Sequence, residues 1–412
     1  MLLKDTLFYI PTMIEYKNRL IYNYDELTEN YERLADEKDF INENMFPNTQ
    51  LLKLNYIETD VGIKNTYELI KYGQKVNSFY IESYQDDLFI SMKDGHFYYE
   101  KIKNIKENRY VPKKIITNLP NSIEVTDLLI YENQIFISYA LKDSDGCNED
   151  ALRISKAIIN KNILKFENFY HQNPKNFSLP DPETCKAYNP TGGAMDILIE
   201  NGRTYLLISI LDQKSQNLFL PEGYRKDLTF KYAQIKKIDL ESRNIVTVSS
   251  GHRNPHGLLV VNNETILSTE HGPKGGDEIN KIMMNKNYGW PFVSYGEPYK
   301  FNLRDDLSYK KNHAKEGFEE PIYAFLPSIG ISRIIKIPNS FSTKWQDSYF
   351  VASLKNKSLF RVKFDLNFDR VILIERIRIK KRIRDIIYDD ISNTFFLALE
   401  SDAGSIGVVH LN

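Results

Sequence analysis

The feature that most limits what this chain can fold into is a series of short apolar runs, each closed by a polar turn. Residues 77–83 (NSFYIES), 87–95 (DLFISMKDG), 134–143 (QIFISYALKD), 204–211 (TYLLISIL), 265–272 (TILSTEHG), 348–356 (SYFVASLKN), 358–365 (SLFRVKFD) and 394–401 (TFFLALES) share this form. They are rich in aromatic and β-branched residues, which favour strands. Tyr and Phe contribute 27 and 23 residues against 2 Trp, so strand-forming aromatics dominate. Serial short strands with turn signals at both ends predict a sandwich, a barrel or a propeller. A propeller predicts a repeat of ~40–60 residues. The strands that follow Asp86, Asn133, Arg203, Glu264, Gln346 and Asn393 supply one corresponding strand per repeat. The interval between Glu264 and Gln346 is long and holds a polar insert at 297–318.

Composition narrows the function. A chain of 412 residues with 42% hydrophobic content can bury a large core, and single β-domains reach this length. A formal net charge of −1 gives no electrostatic case for nucleic acid. The basic run at 376–382 (RIRIKKR) alternates with Ile, as a strand with one solvated face does. No apolar run is long enough for a transmembrane helix. The first residues, with Asp5 and Pro11, make a poor signal peptide. Residues 1–50 read as an extension with a short helix between Tyr24 and Asn44, and 51–412 as one domain. Cys147 and Cys185, both in expected loops, allow one disulfide or two thiols.

Residues 249–295 carry the chemistry. Gly251-His252-Arg253-Asn254-Pro255 sets a cation and an amide on a rigid corner. Glu270-His271-Gly272-Pro273 exposes backbone carbonyls, and Gly275-Gly276-Asp277-Glu278 places two carboxylates beside a glycine pair. Carbonyl and carboxylate oxygens are hard ligands that suit calcium. An arginine beside such a metal suits an anion.

The ordered motifs GHRNPHGL, STEHGPKGGDEIN and KNYGWPFVSYGEPY resemble those of the soluble quinoprotein glucose/sorbosone dehydrogenase family, with a weaker likeness over 120–245 and 320–410. The resemblance implies an all-β, six-bladed β-propeller closed by a segment within 50–72. It implies pyrroloquinoline quinone (PQQ) and calcium as cofactors, a sugar or another alcohol as the small-molecule substrate, and a periplasmic or extracellular location. By the same resemblance, Gly272 and Pro273 offer calcium-binding carbonyls, and Asp277 and Glu278 match acidic residues near the calcium sites. Arg253 and Asn254 fall beside the quinone oxygens, with Arg253 polarising them. Lys355, in Ser353-Leu354-Lys355, and Arg382 and Arg384 face the cofactor; guanidinium groups grip carboxylates bidentately. The family's catalytic histidine aligns with Pro190, which cannot accept a proton, and a family glutamine expected near Ile123-Glu124 is not evident. His252, His256, His271 and Asp196 are the substitutes to weigh. The alternative is a non-catalytic propeller that binds a carbohydrate or a protein.

Overall fold

Six of the eight apolar runs become the second strand of a repeat; 77–83 falls on a first strand and 358–365 on a third. Asp87–Met92, Thr265–Glu270 and Ser348–Ser353 are buried at every position, because neighbouring sheets pack on both of their faces. Two-sided burial explains why these strands read as nearly continuous apolar segments. The computed structural model describes residues 58–59, 63–68, 78–142, 148–172, 192–212, 232–298, 309–400 and 404–409, less positions 108, 110 and 121. The expected helix within 1–50, Pro190 and both cysteines lie outside the described residues.

Six sheets of four or five strands follow one another along the chain. Their first strands are Phe79–Tyr84, Ile123–Tyr131, Met195–Glu200, Pro255–Asn262, Ile331–Lys336 and Arg382–Asp389. Each of these touches the first strand of the next sheet, and the sixth touches the first, so the six form a closed inner ring. This is a six-bladed β-propeller, and the all-β expectation holds. Each first strand turns back into the buried second strand, through a short hairpin except in blade 5, where residues 337–347 and the 3-10 helix Thr343–Trp345 intervene. In blade 3 the turn is Asn201-Gly202, with φ of 52° and 75°, the pairing a two-residue hairpin needs. Strand Ile63–Glu68, inside the segment expected to close the ring, pairs antiparallel with Ser405–Val409 and completes blade 6. Ile63–Glu68 covers the edge of Ser405–Val409 and becomes the outermost strand of blade 6.

The core sits between blades. Phe79, Ile81, Leu88 and Ile90 of blade 1 pack against Ile387, Phe396, Ile406 and Val408 of blade 6. The basic run at 376–382 divides: Arg376 and Arg378 end the outer strand Val371–Arg378, and Arg382 begins the inner strand of blade 6. Its Ile residues face inward, with Ile377 and Ile379 buried.

Candidate functional site

Four of the six inner strands break register against their neighbours near their starts. The irregularities fall at Val125/Asp127, Pro255/Gly257, Ile331/Ile334 and Ile383/Asp385. The extra residues are Thr126, His256, Ser332 with Arg333, and Arg384. A bulge adds a residue and re-aims its side chain: Thr126 and Ser332 are buried against Ser138 and the Ile383 carbonyl, Arg333 turns to the axis, and His256 and Arg384 stay partly exposed.

One layer in, the inner strands carry charge. Glu82, Asp127, Asp196 and Asp385 surround Arg333, and Gly257 takes the sixth place. Arg333 pairs with Asp127, lies 3.6 Å from Asp385 and 4.0 Å from Glu82. Burial opposes the charge on Arg333, but Asp127, Asp385 and Glu82 outweigh it and hold its pKa above the usual value. Burial pushes Asp127 up to about 7, with Arg333 pulling the other way. Burial likewise raises Glu82 and Asp196. The carboxylates also staple blades together. Asp127 accepts from Met195 N at 2.7 Å, Asp196 from Val260 N at 2.6 Å and Asp385 from Ile81 N at 3.1 Å.

The first motif turn is held from below by Glu270. Its carboxylate accepts the backbone N–H groups of Arg253 and Asn254 and meets His252 Nδ1 at 3.1 Å. His252 Nε2 meets Ser249 Oγ at 2.8 Å, so both ring nitrogens are occupied and the side chain is fully buried. His252 is therefore part of the turn's frame. Arg253 donates to the His271 carbonyl at 2.9 Å and lies over the Trp290 ring at 5.3 Å. Trp290 is fixed in turn by its Nε1–H donating to Asp212 at 2.7 Å. Asn254 Oδ1 is buried with no hydrogen-bond partner among the described residues.

The second turn folds onto the first, with His271 N donating to the Asn254 carbonyl at 3.0 Å. A Cβ on Gly272 would come within 2.2 Å of the carbonyl oxygens of both Gly275 and Gly276, so only glycine fits there. Pro273 packs against Gly296. The acidic pair that follows divides, because adjacent strand residues face opposite ways. Asp277 accepts from Gly272 N at 3.1 Å and from Ile331 N at 2.9 Å, which ties the turn to blade 5. Glu278 enters a polar cavity shared with Glu270, Gly272, Trp290 and His313. Burial, then Glu270, raises its pKa well above the carboxylate range. Burial pushes His313 down to about 3.

Around the mouth stand His256, His271, Arg253, Arg384 and Lys93, all close enough to act on one another electrostatically. The His256 and His271 rings meet edge-on with centroids 4.4 Å apart. Burial lowers His271 to about 4, with Asp277 opposing. Lys93 pairs with Glu124 at 2.7 Å. Lys355 occupies the blade 5 turn, its backbone packed against Gly330. Arg382 and Arg384 both bind Glu400, by Nε–H donation at 2.9 and 2.6 Å. Burial would raise Glu400, but Arg384 and Arg382 hold it below the usual range. The structure thus brings Arg253, His271, Arg382 and Arg384 together at one mouth, with the Asn254 and Gly272-Pro273 turns joined to it. Asp196 lies one layer deeper.

Sequence reasoning missed Glu400, Glu270 as the anchor, and the axial charges. A signal for the last exists: Thr126-Asp127-Leu128-Leu129, Met195-Asp196-Ile197-Leu198, Ser332-Arg333-Ile334-Ile335 and Arg384-Asp385-Ile386-Ile387 repeat one pattern. Among the described residues no three His, Cys, Asp or Glu side chains converge as a metal site. No described helix is long and apolar enough to cross a membrane.

Comparison with known proteins matches this geometry. The Glucose / Sorbosone dehydrogenase family model matches residues 238–407. Aldose sugar dehydrogenase YliI of Escherichia coli (strain K12) is 32% identical over 142 residues, 34% of this chain and 37% of that one. Quinoprotein glucose dehydrogenase B of Acinetobacter calcoaceticus is 32% identical over 119 residues, 29% of this chain and 23% of that one. The matched segment therefore spans less than two-fifths of either relative. Among solved structures, the apo form of the soluble aldose sugar dehydrogenase from Escherichia coli superposes with a TM-score of 0.63 at 20% identity. It covers 84% of this chain and 99% of that one, and it supports the propeller fold. Residues 238–407 thus resemble the glucose/sorbosone dehydrogenase family, within a six-bladed ring of the same fold as the Escherichia coli structure.

Proposed function

We propose that this protein is a PQQ-dependent sugar or alcohol dehydrogenase with calcium at the Gly272-Pro273 turn. The observation that carries the reading is the convergence of Arg253, Arg382 and Arg384 on one channel mouth beside an oxygen-rich turn. The residues fit the cofactor. PQQ is a flat tricarboxylate, and Lys355, Arg382 and Arg384 are three cations of the right kind for its carboxylates. The orphaned Asn254 Oδ1 and the carbonyls of Gly272 and Pro273 suit a hard cation and the groups around it. Bound there, the quinone supplies a two-electron hydride acceptor polarised by the metal.

The chain's own residues do the rest. Arg253, clamped by Trp290 and the His271 carbonyl, holds its positive charge where electron density accumulates. Asp277 fixes the carbonyl turn from behind, and Glu278 is the carboxylate left facing the adjoining cavity. A sugar hydroxyl at the mouth must lose its proton to a base as its C–H bond breaks. By family, we place the protein in the periplasm or outside the cell.

The test is visible absorption of the protein loaded with PQQ and calcium, before and after an aldose. The expected result is a bound-quinone band that bleaches with sugar. A second reading is favoured by Pro190, which stands where the family's base aligns. A non-catalytic propeller would hold the quinone, or a carbohydrate, without bleaching.

A further inference from the structure

Resting on the function proposed above, we infer that His256 is the proton acceptor for the substrate hydroxyl, in place of the histidine that aligns with Pro190. Three geometric observations lead to it. First, His256 is the extra residue of a β-bulge, between Pro255 paired with Glu270 and Gly257 paired with Thr269. The bulge turns its imidazole out of the sheet and towards the channel mouth. Gly257 makes this possible, since a Cβ there would sit 2.4 Å from Thr269 Oγ1 and 3.0 Å from the Ser332 carbonyl. The inner strands of blades 4 and 5 can approach only because that position is bare.

Second, the other candidates are committed. His252 has both ring nitrogens occupied and no exposure. His313 is 1% exposed and lies between Glu278 and Glu320. Both carboxylate oxygens of Asp196 accept backbone N–H groups, from Ile197 at 2.8 Å and Val260 at 2.6 Å. His271 packs its ring edge-on to His256 and stands 3.9 Å from the Asp277 carboxylate. His256 is partly exposed with no hydrogen bond on either ring nitrogen among the described residues, and unlike His271 it faces no carboxylate within 4 Å among them.

Third, it stands among the groups proposed to hold the cofactor: Arg253, Arg384 and His271 are its neighbours at the mouth, with the His271 ring 4.4 Å away. The step balances. With PQQ bound, the substrate C–H bond would break and its electron pair would pass with hydrogen to the quinone. The O–H bond breaks and its proton goes to a His256 ring nitrogen, leaving the lactone or carbonyl product. The imidazolium then returns its proton to solvent.

The experiment has three arms on the full chain. PQQ binding with calcium is followed by absorption. Carbethoxylation by diethyl pyrocarbonate is mapped by mass spectrometry with and without PQQ. Dye reduction is measured for wild type, His256→Gln and His256→Asn, with circular dichroism as the folding control. We expect His256 to react at least tenfold faster than His252 and His313, and PQQ to protect it. We expect both variants to bind PQQ within about threefold of wild type, while kcat falls ~10²–10⁴-fold with little change in KM. PQQ binding without protection of His256 overturns the inference and spares the proposed function, as does a folded His256→Gln protein with wild-type kcat. Absence of PQQ binding to wild type overturns the proposed function, and the inference with it.

Discussion

Two successive residues on the same inner strands have opposite lives. At the mouth, His256 and Arg384 stand on bulges and face the channel opening. One residue on, Gly257 and Asp385 lie in a layer where every charge is spoken for. Asp385 is buried, accepts two backbone N–H groups and faces Arg333. The titration behaviour differs in sign as well. Burial raises Glu82, Asp127 and Asp196 in the axial layer, whereas the arginines at the mouth lower Glu400. The contrast separates what holds the ring from what serves a ligand. A bulge of one residue is enough to move a side chain from the first task to the second.

The largest effect is expected on the axial side. Among the described residues Arg333 is the one cation paired with Glu82, Asp127 and Asp385, and Arg333→Met leaves these carboxylates facing one another. Breaking such a cluster from one side costs about 3–5 kcal/mol. Urea denaturation should show this as a lower midpoint, and the loss should be smaller at pH 5 than at pH 8, because protonation relieves the repulsion. A variant within about 1 kcal/mol of wild type at both pH values would mean that the axial layer does not hold the ring.

The second effect is a pH slope. Asp127 has a folded pKa of about 7, above its unfolded value of 3.8. Its contribution to stability is therefore complete below pH 4 and is lost as pH rises through 7. One proton can contribute at most about 1.4 kcal/mol per pH unit. Asp127→Asn should flatten the stability profile between pH 4 and 7, since the amide does not titrate. A profile as steep as that of wild type would assign the slope to Glu82 and Asp196 instead.

The same division explains what was legible in the sequence. The runs after Asp86, Asn133, Arg203, Glu264, Gln346 and Asn393 were readable because they are second strands, sandwiched between blades and apolar on both faces. The inner strands were obscured. A charge at Glu82, Asp127, Asp196, Arg333 or Asp385 interrupts the apolar pattern, and each bulge shifts the period of two. The motif turns were legible because Gly272 and its neighbours need particular backbone shapes. Glu400 was not, because its partners, Arg382 and Arg384, belong to the opposing strand of a hairpin and nothing in its local sequence marks it. The difference between His252 and His256 was equally hidden: two histidines four residues apart in one turn look alike until their hydrogen bonds are known.

The third effect lies at the mouth. Trp290→Phe keeps a ring beneath Arg253 but deletes the donor to Asp212. Losing one donor to a buried acceptor costs up to roughly 1–3 kcal/mol. The loss should appear in thermal unfolding, and PQQ affinity should fall only as far as Arg253 loses its position. Unchanged stability would show that water replaces the indole N–H at Asp212.

The smallest expected effect is also the one that most sharpens the contrast, because it separates binding from stability. Glu400 shares its two oxygens between Arg382 and Arg384, the two guanidinium groups proposed to grip a cofactor carboxylate. Its negative charge therefore competes with the ligand for the same cations. Glu400→Gln keeps one acceptor oxygen to orient the arginines and removes the charge. At about 8 Å and an effective dielectric of about 20, one unit charge is worth roughly 2 kcal/mol. Screening at a mouth open to salt reduces that to about 1 kcal/mol, or roughly fivefold in affinity. PQQ should therefore bind the variant about fivefold more tightly at low salt, with the gain shrinking as salt rises. Glu400 has a lowered folded pKa, so in wild type its stabilisation is present above its unfolded value and is lost as pH falls through the folded one. The variant should lose that acid limb while stability near neutral pH drops only modestly. Weaker PQQ binding by Glu400→Gln would show that the carboxylate serves the ligand by aiming the arginines more than it opposes the ligand by its charge. The mouth would then be a fixed frame like the axial layer beneath it.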